Sequence, residues 1–537
     1  MVIGTPNHTQ AGNSKTTPAF TEKHAAKYLN RGFKALMAQD FKDAGACANL
    51  VLKYMPKLDQ AHFLVGLIAL DTSDWTNARK AFLNVVEITD DHAAAWAQLA
   101  RVHIMSGGYN QAEEALKKAV KFGSDDPLVA DVIGTAYTLM GDQTEALTWF
   151  DRACEDTDNP MFVMNRAKCL TFLGAFAEAR EALERVLALQ PQNTQAHWSL
   201  SRLEKAPDDK HVQEMQTLLK RFKPNSPPTT YLNYGLGKEY EDLEMWPEAF
   251  QAYAQGAKAR RAHITYDEAA EIETFTALQG VFTKEWLEAQ GEGCLDAAPI
   301  FIIGQPRTGT TLVERIITAR DDIHSAGELQ QFGLAVKRLA GAQGSGMISA
   351  ETVRAAAEID PGKLGGIFME STRSLRSDLP HFVDKLPVNY LYAPLIAAAL
   401  PNAKIIHVTR DPMDSCFASY KQLFAEAYFH SYDQGEMARH HLRYRRLMDH
   451  YRGLLGDRMI EVAYEDVVGD MEGEARRLVT YLGLDWQAAS LDFHTQKSAV
   501  TTASATQVRE KAHSRSVGRW RQFETELTEM HEILIEN

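Results

Sequence analysis

The sequence lacks the features that mark secreted, membrane-spanning or nucleic-acid-binding proteins. It has only five cysteines, none of them in a CxxC pair, which predicts neither a disulfide framework nor a zinc site. It has no signal peptide and no apolar run of about 18 residues. Its net charge of −14 argues against a nucleic-acid partner. These absences predict a cytoplasmic protein with no membrane span.

The chain does have the composition of a folded protein and more length than one domain needs. Its 537 residues are 45% hydrophobic and 24% charged, as in ordinary globular proteins. Because single hydrophobic cores stop growing at about 250–300 residues, we expect at least two domains. Residues 1–22 show no apolar periodicity, and we expect them to form a disordered tail.

Small residues recur along residues 23–285 with a period of about 34 residues. Each unit contains two helical patterns joined by a turn such as 140–142, and small residues let two helices approach closely. This pattern resembles the tetratricopeptide repeat and predicts an all-α solenoid with a concave surface. That surface can bind a polypeptide or a partner, act as a spacer, or mediate formation of a homodimer. The two series of small residues are Gly32, Gly66, Ala100 and Gly134, and Ala44, Ala78, Ala112 and Ala146.

The segment from Phe301 to Leu312 combines an apolar strand, a polar loop and the start of a helix. Gly304 and Gly309 have the spacing of a Walker A loop, but Thr310 stands where a nucleotide triphosphatase needs Lys. Such a loop still offers backbone N–H groups and hydroxyls to an anion at a helix N-terminus. The pattern predicts a phosphate-like anion site and argues against a kinase that binds Mg²⁺ and ATP.

Strands and helices alternate through residues 286–537. The apolar segments that end near 384, 409 and 462 are each followed by polar residues. This alternation predicts an α/β domain of P-loop-like type with a central parallel sheet covered on both faces. Polar residues just past the strands lie where open α/β sheets bind their ligands.

Taken together, these motifs resemble the sulfotransferases that use 3′-phosphoadenosine 5′-phosphosulfate (PAPS). The likeness is greatest to tyrosylprotein sulfotransferases and to bacterial repeat-fused relatives. The family's phosphosulfate loop, GxPRSGTTL, resembles residues 304–312, with Thr308 in place of Ser. Arg410 and Asp411 resemble the start of its 3′-phosphate motif. That motif carries a Ser at the position of Ala418, and whether the neighbouring Ser419 replaces it stays open.

Further matches extend the resemblance to the C-terminus. Glu328 lies in a segment that resembles the one carrying the catalytic Glu, and Lys385 resembles the family's Lys before a proline. Tyr464 resembles the Tyr beside the adenine. Ser504 and Arg519 lie in segments that resemble the flap over the nucleotide.

The resemblance implies in-line transfer of a sulfonate group from PAPS to a hydroxyl acceptor, leaving PAP, without a metal. Glu328 would be the general base, and Arg307 and Lys385 would stabilise charge on the bridging oxygen. The residues implied in binding PAPS are Arg307, Thr308, Gly309, Thr310, Thr311, Arg410, Ser419, Tyr464, Ser504 and Arg519.

The identity of the acceptor stays open at this stage. Tyrosylprotein sulfotransferases hold acidic peptides with Arg residues soon after the catalytic Glu, whereas this chain has Gln330 and Gln331 there. One interpretation is a protein tyrosine held by the repeats. Another is a small-molecule, lipid or glycan hydroxyl, with the repeats used for oligomerisation. A third is a repeat scaffold with an inactive nucleotide-binding domain.

The tandem His440–His441 is the remaining candidate for a metal ligand. The pair stands in a charged segment with Arg443, Arg445 and Arg446, which favours a solvated helix face over a metal site. A surface on the acceptor side is the other interpretation of this segment.

Overall fold

The computed structural model describes residues 20–342, 348–424, 427–496, 498–502 and 504–535. Residues 1–19 of the predicted disordered tail lie outside this range. The chain divides into two compact units, Met1–Ser106 with Glu114–Gly123, and Gly107–Glu113 with Ser124–Asn537. No helix within the described ranges combines the length and the apolar character needed to cross a bilayer.

The first unit is helical, and its successive helices pack in pairs. A Cβ atom on Gly66 would lie 2.5 Å from the ring of Phe82, so the small residue is what lets these two helices meet. Ala44 and Ala78, from the second series of small residues, are fully buried. The helices are α1 Glu22–Met37, α2 Phe41–Tyr54, α3 Asp59–Asp71, α4 Trp75–Ile88 and α5 Ala93–Met105, followed by α6 Tyr109–Phe122.

The second unit begins with further repeats of the same kind. Gly134 and Gly237 again approach aromatic rings, those of Phe150 and Tyr253. Asp126 caps a helix that starts at a proline, because its side chain accepts a hydrogen bond from the Leu128 N–H. The helices are α7 Pro127–Leu139, α8 Gln143–Cys154, α9 Pro160–Leu173, α10 Phe176–Leu189, α11 Thr194–Ser201, α12 Lys210–Leu219, α13 Pro227–Asp242, α14 Trp246–Arg261, α15 Glu268–Val281 and α16 Lys284–Glu288.

A five-stranded parallel sheet follows, in the order β2-β3-β1-β4-β5. The strands are β1 Pro299–Gly304, β2 Ile323–Ser325, β3 His381–Asp384, β4 Lys404–Thr409 and β5 Met459–Ala463. The helices are α17 Thr310–Thr318, α18 Gln331–Leu339, α19 Ala350–Ala356, α20 Pro361–Ser371, α21 Ala393–Ala399, α22 Pro412–Tyr420, α23 Gln434–Leu455, α24 Tyr464–Gly469, α25 Met471–Leu482 and α26 Thr528–Ile535. Short 3₁₀ helices span Arg373–Leu375, Pro387–Tyr392, Phe429–Tyr432, Gly456–Arg458, Ala488–Thr495, Gln507–Arg509, Ser514–Ser516 and Arg519–Phe523.

Both faces of the sheet are covered, because alternate residues of β1 enter different cores. Phe301 and Ile303 pack in a cluster that includes Phe275 of α15 and Tyr451 of α23. Ile300 and Ile302 pack in a second cluster with residues of α17 and α25. The predicted fold class, an all-α repeat array followed by an α/β domain with a parallel sheet, is therefore confirmed. Because α15 contributes to the first cluster, the core of the sheet domain includes residues before the predicted boundary at 285.

The prediction of a solvated face at His440 and His441 is wrong. Their exposed fractions are 2% and 4%, because α23 packs between the sheet and α15. His440 Nδ1 lies 2.9 Å from Glu271 Oε1 on α15, and His441 Nδ1 lies 2.8 Å from Gln305 Oε1. The segment is rich in Arg, so its composition did not indicate that one face of this long helix is buried.

Candidate active site

The loop after β1 forms an open cradle at the N-terminus of α17. Gly309 has φ 97°, and a Cβ atom there would lie 2.6 Å from the Tyr464 ring, so glycine is needed on both counts. Arg307 has φ 68°, which strains a residue that carries a Cβ atom. The Thr308 hydroxyl closes the turn by donating to the Gln305 carbonyl at 2.8 Å. The free N–H groups at the start of α17 therefore lie beside the loop, as an anion requires.

Arg307 joins this loop to the C-terminal flap, which we define as residues 498–502 and 504–520. Its guanidinium donates to Ser504 Oγ at 2.5 Å and to Gln507 Oε1 at 2.9 Å. Burial, with the positive charges of Arg410 and Arg202, lowers the pKa of Arg307 to about 10. Half-buried cations brought together in this way favour an anionic ligand.

Arg410 and Tyr464 lie on the other side of the same loop. Arg410 donates to the Arg307 carbonyl at 3.0 Å and to the Ser516 carbonyl at 2.5 Å, with its guanidinium 4.8 Å from the centre of the Tyr464 ring. Its buried Nε has no hydrogen-bond partner among the described residues. Asp414 accepts hydrogen bonds from the flap N–H groups of Gly518 and Trp520 at 2.6 and 3.2 Å. The structure thus brings the Arg-Asp motif, the loop and the flap together.

Two residues implied in binding lie apart from this cluster of side chains. Arg519 donates to Glu241 of α13 at 3.2 Å and lies 4.6 Å from the centre of the Trp246 ring. Ser419 is fully buried and donates to the Pro306 carbonyl at 3.3 Å, so its hydroxyl supports the loop from behind. Among the described residues, neither side chain is hydrogen-bonded to Arg410.

Glu328 and Lys385 form a close ion pair at the carboxyl edge of the sheet. Lys385 Nζ lies 2.5 Å from Glu328 Oε1; the Lys385 side chain is 1% exposed and that of Glu328 41%. Burial opposes the charge on Lys385, but the carboxylates of Glu328 and Glu314 outweigh it and raise the pKa of the ammonium. The ammonium is thus retained beside a carboxylate that solvent and an acceptor can reach.

The sequence reasoning missed Glu314 and Gln507. Glu314 lies in the first turns of α17, where burial raises its pKa although Lys385 and a hydrogen bond from Ser325 oppose this. The available signal was a carboxylate in the middle of an apolar helical stretch. Gln507 lies within the flap segment and gave no signal of its own.

The end of α9 in the repeats holds the flap directly. The Phe172 carbonyl accepts hydrogen bonds from the Val500 N–H and from Arg509 Nη2, both at 2.9 Å. Gly174 has φ 80°, and a Cβ atom there would clash with the Arg509 guanidinium. The cation also complements the negative end of the helix dipole. The repeats therefore fix the part of the chain that contacts Arg307.

Glu271, His430 and His440 form a buried group of metal-ligand type that the sequence did not indicate. Arg443 Nε already donates to Glu271 Oε1 at 2.9 Å. The two imidazole rings stack with their centres 3.5 Å apart and an angle of 11°. Because a metal ion must lie in the plane of each ring that binds it, this arrangement fits a hydrogen-bonded cluster between α15 and α23.

Comparison with known families matches both parts of the chain. A model described as the sulfotransferase family matches residues 299–488. Two tetratricopeptide-repeat models match residues 69–134 and 163–193.

Two individual proteins and one solved structure are similar to parts of this chain. A protein of Aquifex aeolicus (strain VF5), described as uncharacterized, is 30% identical over 380 residues, which is 68% of this chain and 49% of the relative. The chain therefore spans about half the length of that relative. A Caenorhabditis briggsae protein provisionally described as a protein-tyrosine sulfotransferase is 23% identical over 227 residues, 41% of this chain and 80% of the relative. The crystal structure of a tetratricopeptide-repeat protein from Thermus thermophilus matches at 17% identity over 33% of this chain and 98% of its own, with a TM-score of 0.31.

Proposed function

We propose that this chain, in which tetratricopeptide repeats precede a domain of the sulfotransferase family, transfers a sulfonate group from PAPS to a hydroxyl acceptor. The observation that carries the proposal is the Glu328–Lys385 pair, at the same sheet edge as the loop that presents Arg307. A carboxylate and two cations beside an anion cradle suit transfer of an anionic group to a hydroxyl.

The residues present fit the donor. The loop N–H groups and the hydroxyls of Thr308, Thr310 and Thr311 would hold the phosphosulfate, with Gly309 giving it close access to the backbone. Arg410, whose Nε lacks a partner among the described residues, would hold the 3′-phosphate, and Tyr464 would lie beside the adenine. PAPS supplies an activated sulfonate when it is bound. Ser504 and Gln507 would keep Arg307 pointed at the phosphosulfate.

Three side chains would act on the reacting groups. Glu328 would take the proton of the acceptor hydroxyl, which requires that its carboxylate stay ionised and reachable. Lys385 Nζ lies 2.5 Å from Glu328 Oε1 and would hold the carboxylate in position. Lys385 and Arg307 would also stabilise the negative charge that develops during transfer. None of these roles requires a metal.

For the acceptor we propose a polypeptide hydroxyl, with the repeats selecting the polypeptide. Tetratricopeptide arrays are typical of protein binding, since their stacked helices form an extended concave surface. A small-molecule, lipid or glycan hydroxyl, with the repeats used for oligomerisation, is the alternative. The free cysteines of the chain fit a cytoplasmic location, where thiols stay reduced.

Isothermal titration calorimetry with PAP in the presence of EDTA tests the proposal. We expect saturable one-site binding without metal, and no binding of ATP with Mg²⁺. Absence of PAP binding would overturn the donor assignment. Mass spectrometry of a host lysate incubated with PAPS and the protein then tests the acceptor. We expect polypeptides that gain the mass of a sulfonate group; a gain on small molecules alone would favour the alternative.

Replacing Arg509 by Ala should weaken PAP binding by about tenfold, because a hydrogen bond from a charged donor contributes roughly 1.5 kcal/mol or more. The change removes one of the two hydrogen bonds that join the flap to the Phe172 carbonyl, without touching any group proposed to contact PAP. Arg515→Ala is the matched control, since Arg515 is an exposed flap residue paired only with Glu510 among the described residues. Calorimetry on both variants is the measurement. Equal affinities for PAP would show that the contact with the repeats does not position the flap.

A further inference from the structure

A polar cavity of about 330 Å³ lies between α23 and the strands β4 and β5. Ile406 and Val408 of β4 pack on the α17 side of the sheet, so His407 between them faces α23. The cavity is therefore on the opposite face of the sheet from α17. It touches the proposed donor site through Gln305 and Thr308 of the loop and through Arg410. Its volume is within the range of small-molecule sites, which starts at about 300 Å³.

The inner wall of the cavity offers one acceptor and one donor that nothing in the protein satisfies. His441 Nδ1 donates to Gln305 Oε1 at 2.8 Å, which leaves the lone pair on His441 Nε2. Burial lowers the pKa of His441 to about 3, so the ring stays neutral at physiological pH. His441 Nε2 and Gln305 Nε2 are both buried, and neither has a partner among the described residues. Buried polar groups are almost always paired in native proteins, so these two atoms are the hydrogen-bonding groups that a bound molecule would satisfy.

The rim of the cavity carries an excess of positive charge. The charge of Arg452 is neutralised, since its Nη2 lies 3.0 Å from Asp449 Oδ1 and 2.9 Å from Glu461 Oε2. Arg445 is exposed, and within the described ranges no carboxylate pairs with it. Arg410 also lines the cavity, but its Nε is already proposed to bind the 3′-phosphate of PAPS. An anionic group is therefore the complement of this rim.

We propose that this cavity binds a small anion that also carries a hydroxyl group. The anionic group lies near Arg445. The hydroxyl donates to His441 Nε2 and accepts from Gln305 Nε2, which satisfies both orphans at once. Carboxylates and phosphate esters both supply such an anion, and the experiment distinguishes them. This site does not depend on the proposed sulfonate transfer.

Calorimetry on the full chain, titrated separately with glycerate and glycerol 3-phosphate, tests the proposal. We expect one of the two to bind with one-to-one stoichiometry, also when PAP is saturating. Arg445→Glu should raise its Kd about tenfold, because the change reverses a charge at the rim. Arg446→Glu is the matched control, because Arg446 is the next residue, is exposed and does not line the cavity. His441→Phe removes the acceptor nitrogen and should weaken binding as well.

Three results would overturn this site. The first is no binding of either anion. The second is an equal loss in the Arg445 and Arg446 variants, which would show non-specific attraction by surface charge. The third is one-for-one displacement by PAP, which would assign the cavity to the donor site. Because Arg445→Glu changes an exposed residue and leaves the core intact, the conclusion does not depend on the folding of the His441 variant. PAP binding by Arg445→Glu tests the proposed function separately.

Discussion

Replacing Glu328 by Gln is expected to lower the rate of sulfonate transfer by about 10²–10⁴-fold, the usual contribution of a general base. The amide has nearly the shape of the carboxylate but cannot take the proton of an acceptor hydroxyl. PAP affinity should stay close to that of the wild type, because Glu328 contacts Lys385 and none of the loop residues among the described contacts. Transfer rates and calorimetry with PAP measure the two quantities separately.

Glu351→Gln is the matched control for this experiment. Glu351 is an exposed glutamate in the first turn of α19, within the same domain. It should lose neither transfer nor PAP affinity. If Glu328→Gln instead weakened PAP binding and transfer by the same factor, Glu328 would hold Lys385 in place and another group would be the base. Glu314 would then be the first candidate, since after Glu328 it is the carboxyl that raises the pKa of Lys385 most.

The sequence predicted the sheet and the anion loop because both depend on local patterns. Continuous apolar runs predicted buried parallel strands, and the residues after them do meet at one edge. Gly304, Arg307 and Gly309 predicted the cradle through spacing alone. The repeats could also be predicted from the sequence, since Gly66 and Gly134 stand where close helix contact leaves no room for a larger side chain.

The parts that the sequence could not predict depend on contacts between distant segments. Arg519 was implied in binding PAPS, yet its cation pairs with Glu241, which lies 278 positions earlier in the chain. His440 and His441 looked solvated because their neighbours are charged, and only the packing of α23 shows that they are buried. The contact of Arg509 with the Phe172 carbonyl could not be predicted from the sequence, because every residue has a backbone carbonyl that can accept such a hydrogen bond.

These distant contacts change what the repeats are expected to do. Phe172 and Glu241, from two different repeats, contact the two ends of the flap. A polypeptide bound to the repeats would therefore act on the same elements that hold Arg307. Coupling between acceptor and donor follows if binding shifts these elements, and by linkage it would be reciprocal.

Replacing Arg307 by Ala should weaken PAP binding by about 100-fold, because it removes a half-buried charged donor, worth roughly 1.5–3 kcal/mol per hydrogen bond, and releases Ser504 and Gln507. Transfer should fall further, since the same cation is proposed to stabilise the developing charge. The PAP affinity of Arg307→Lys should lie between those of the wild type and of Arg307→Ala. An ammonium keeps the charge but cannot hold both flap residues in the geometry of a planar guanidinium. Arg338→Ala, an exposed arginine on α18, is the control.

The same substitution should not lower the thermal stability of the ligand-free protein, although it weakens PAP binding. Arg307 is half-buried beside Arg410 and Arg202. Removing it relieves desolvation and repulsion between like charges, so Arg307→Ala should leave the Tm of the ligand-free protein unchanged or higher. Calorimetry with PAP and thermal unfolding without it measure the two effects. A lower Tm together with normal PAP affinity would make Arg307 a structural clamp for the flap and would remove it from the donor site.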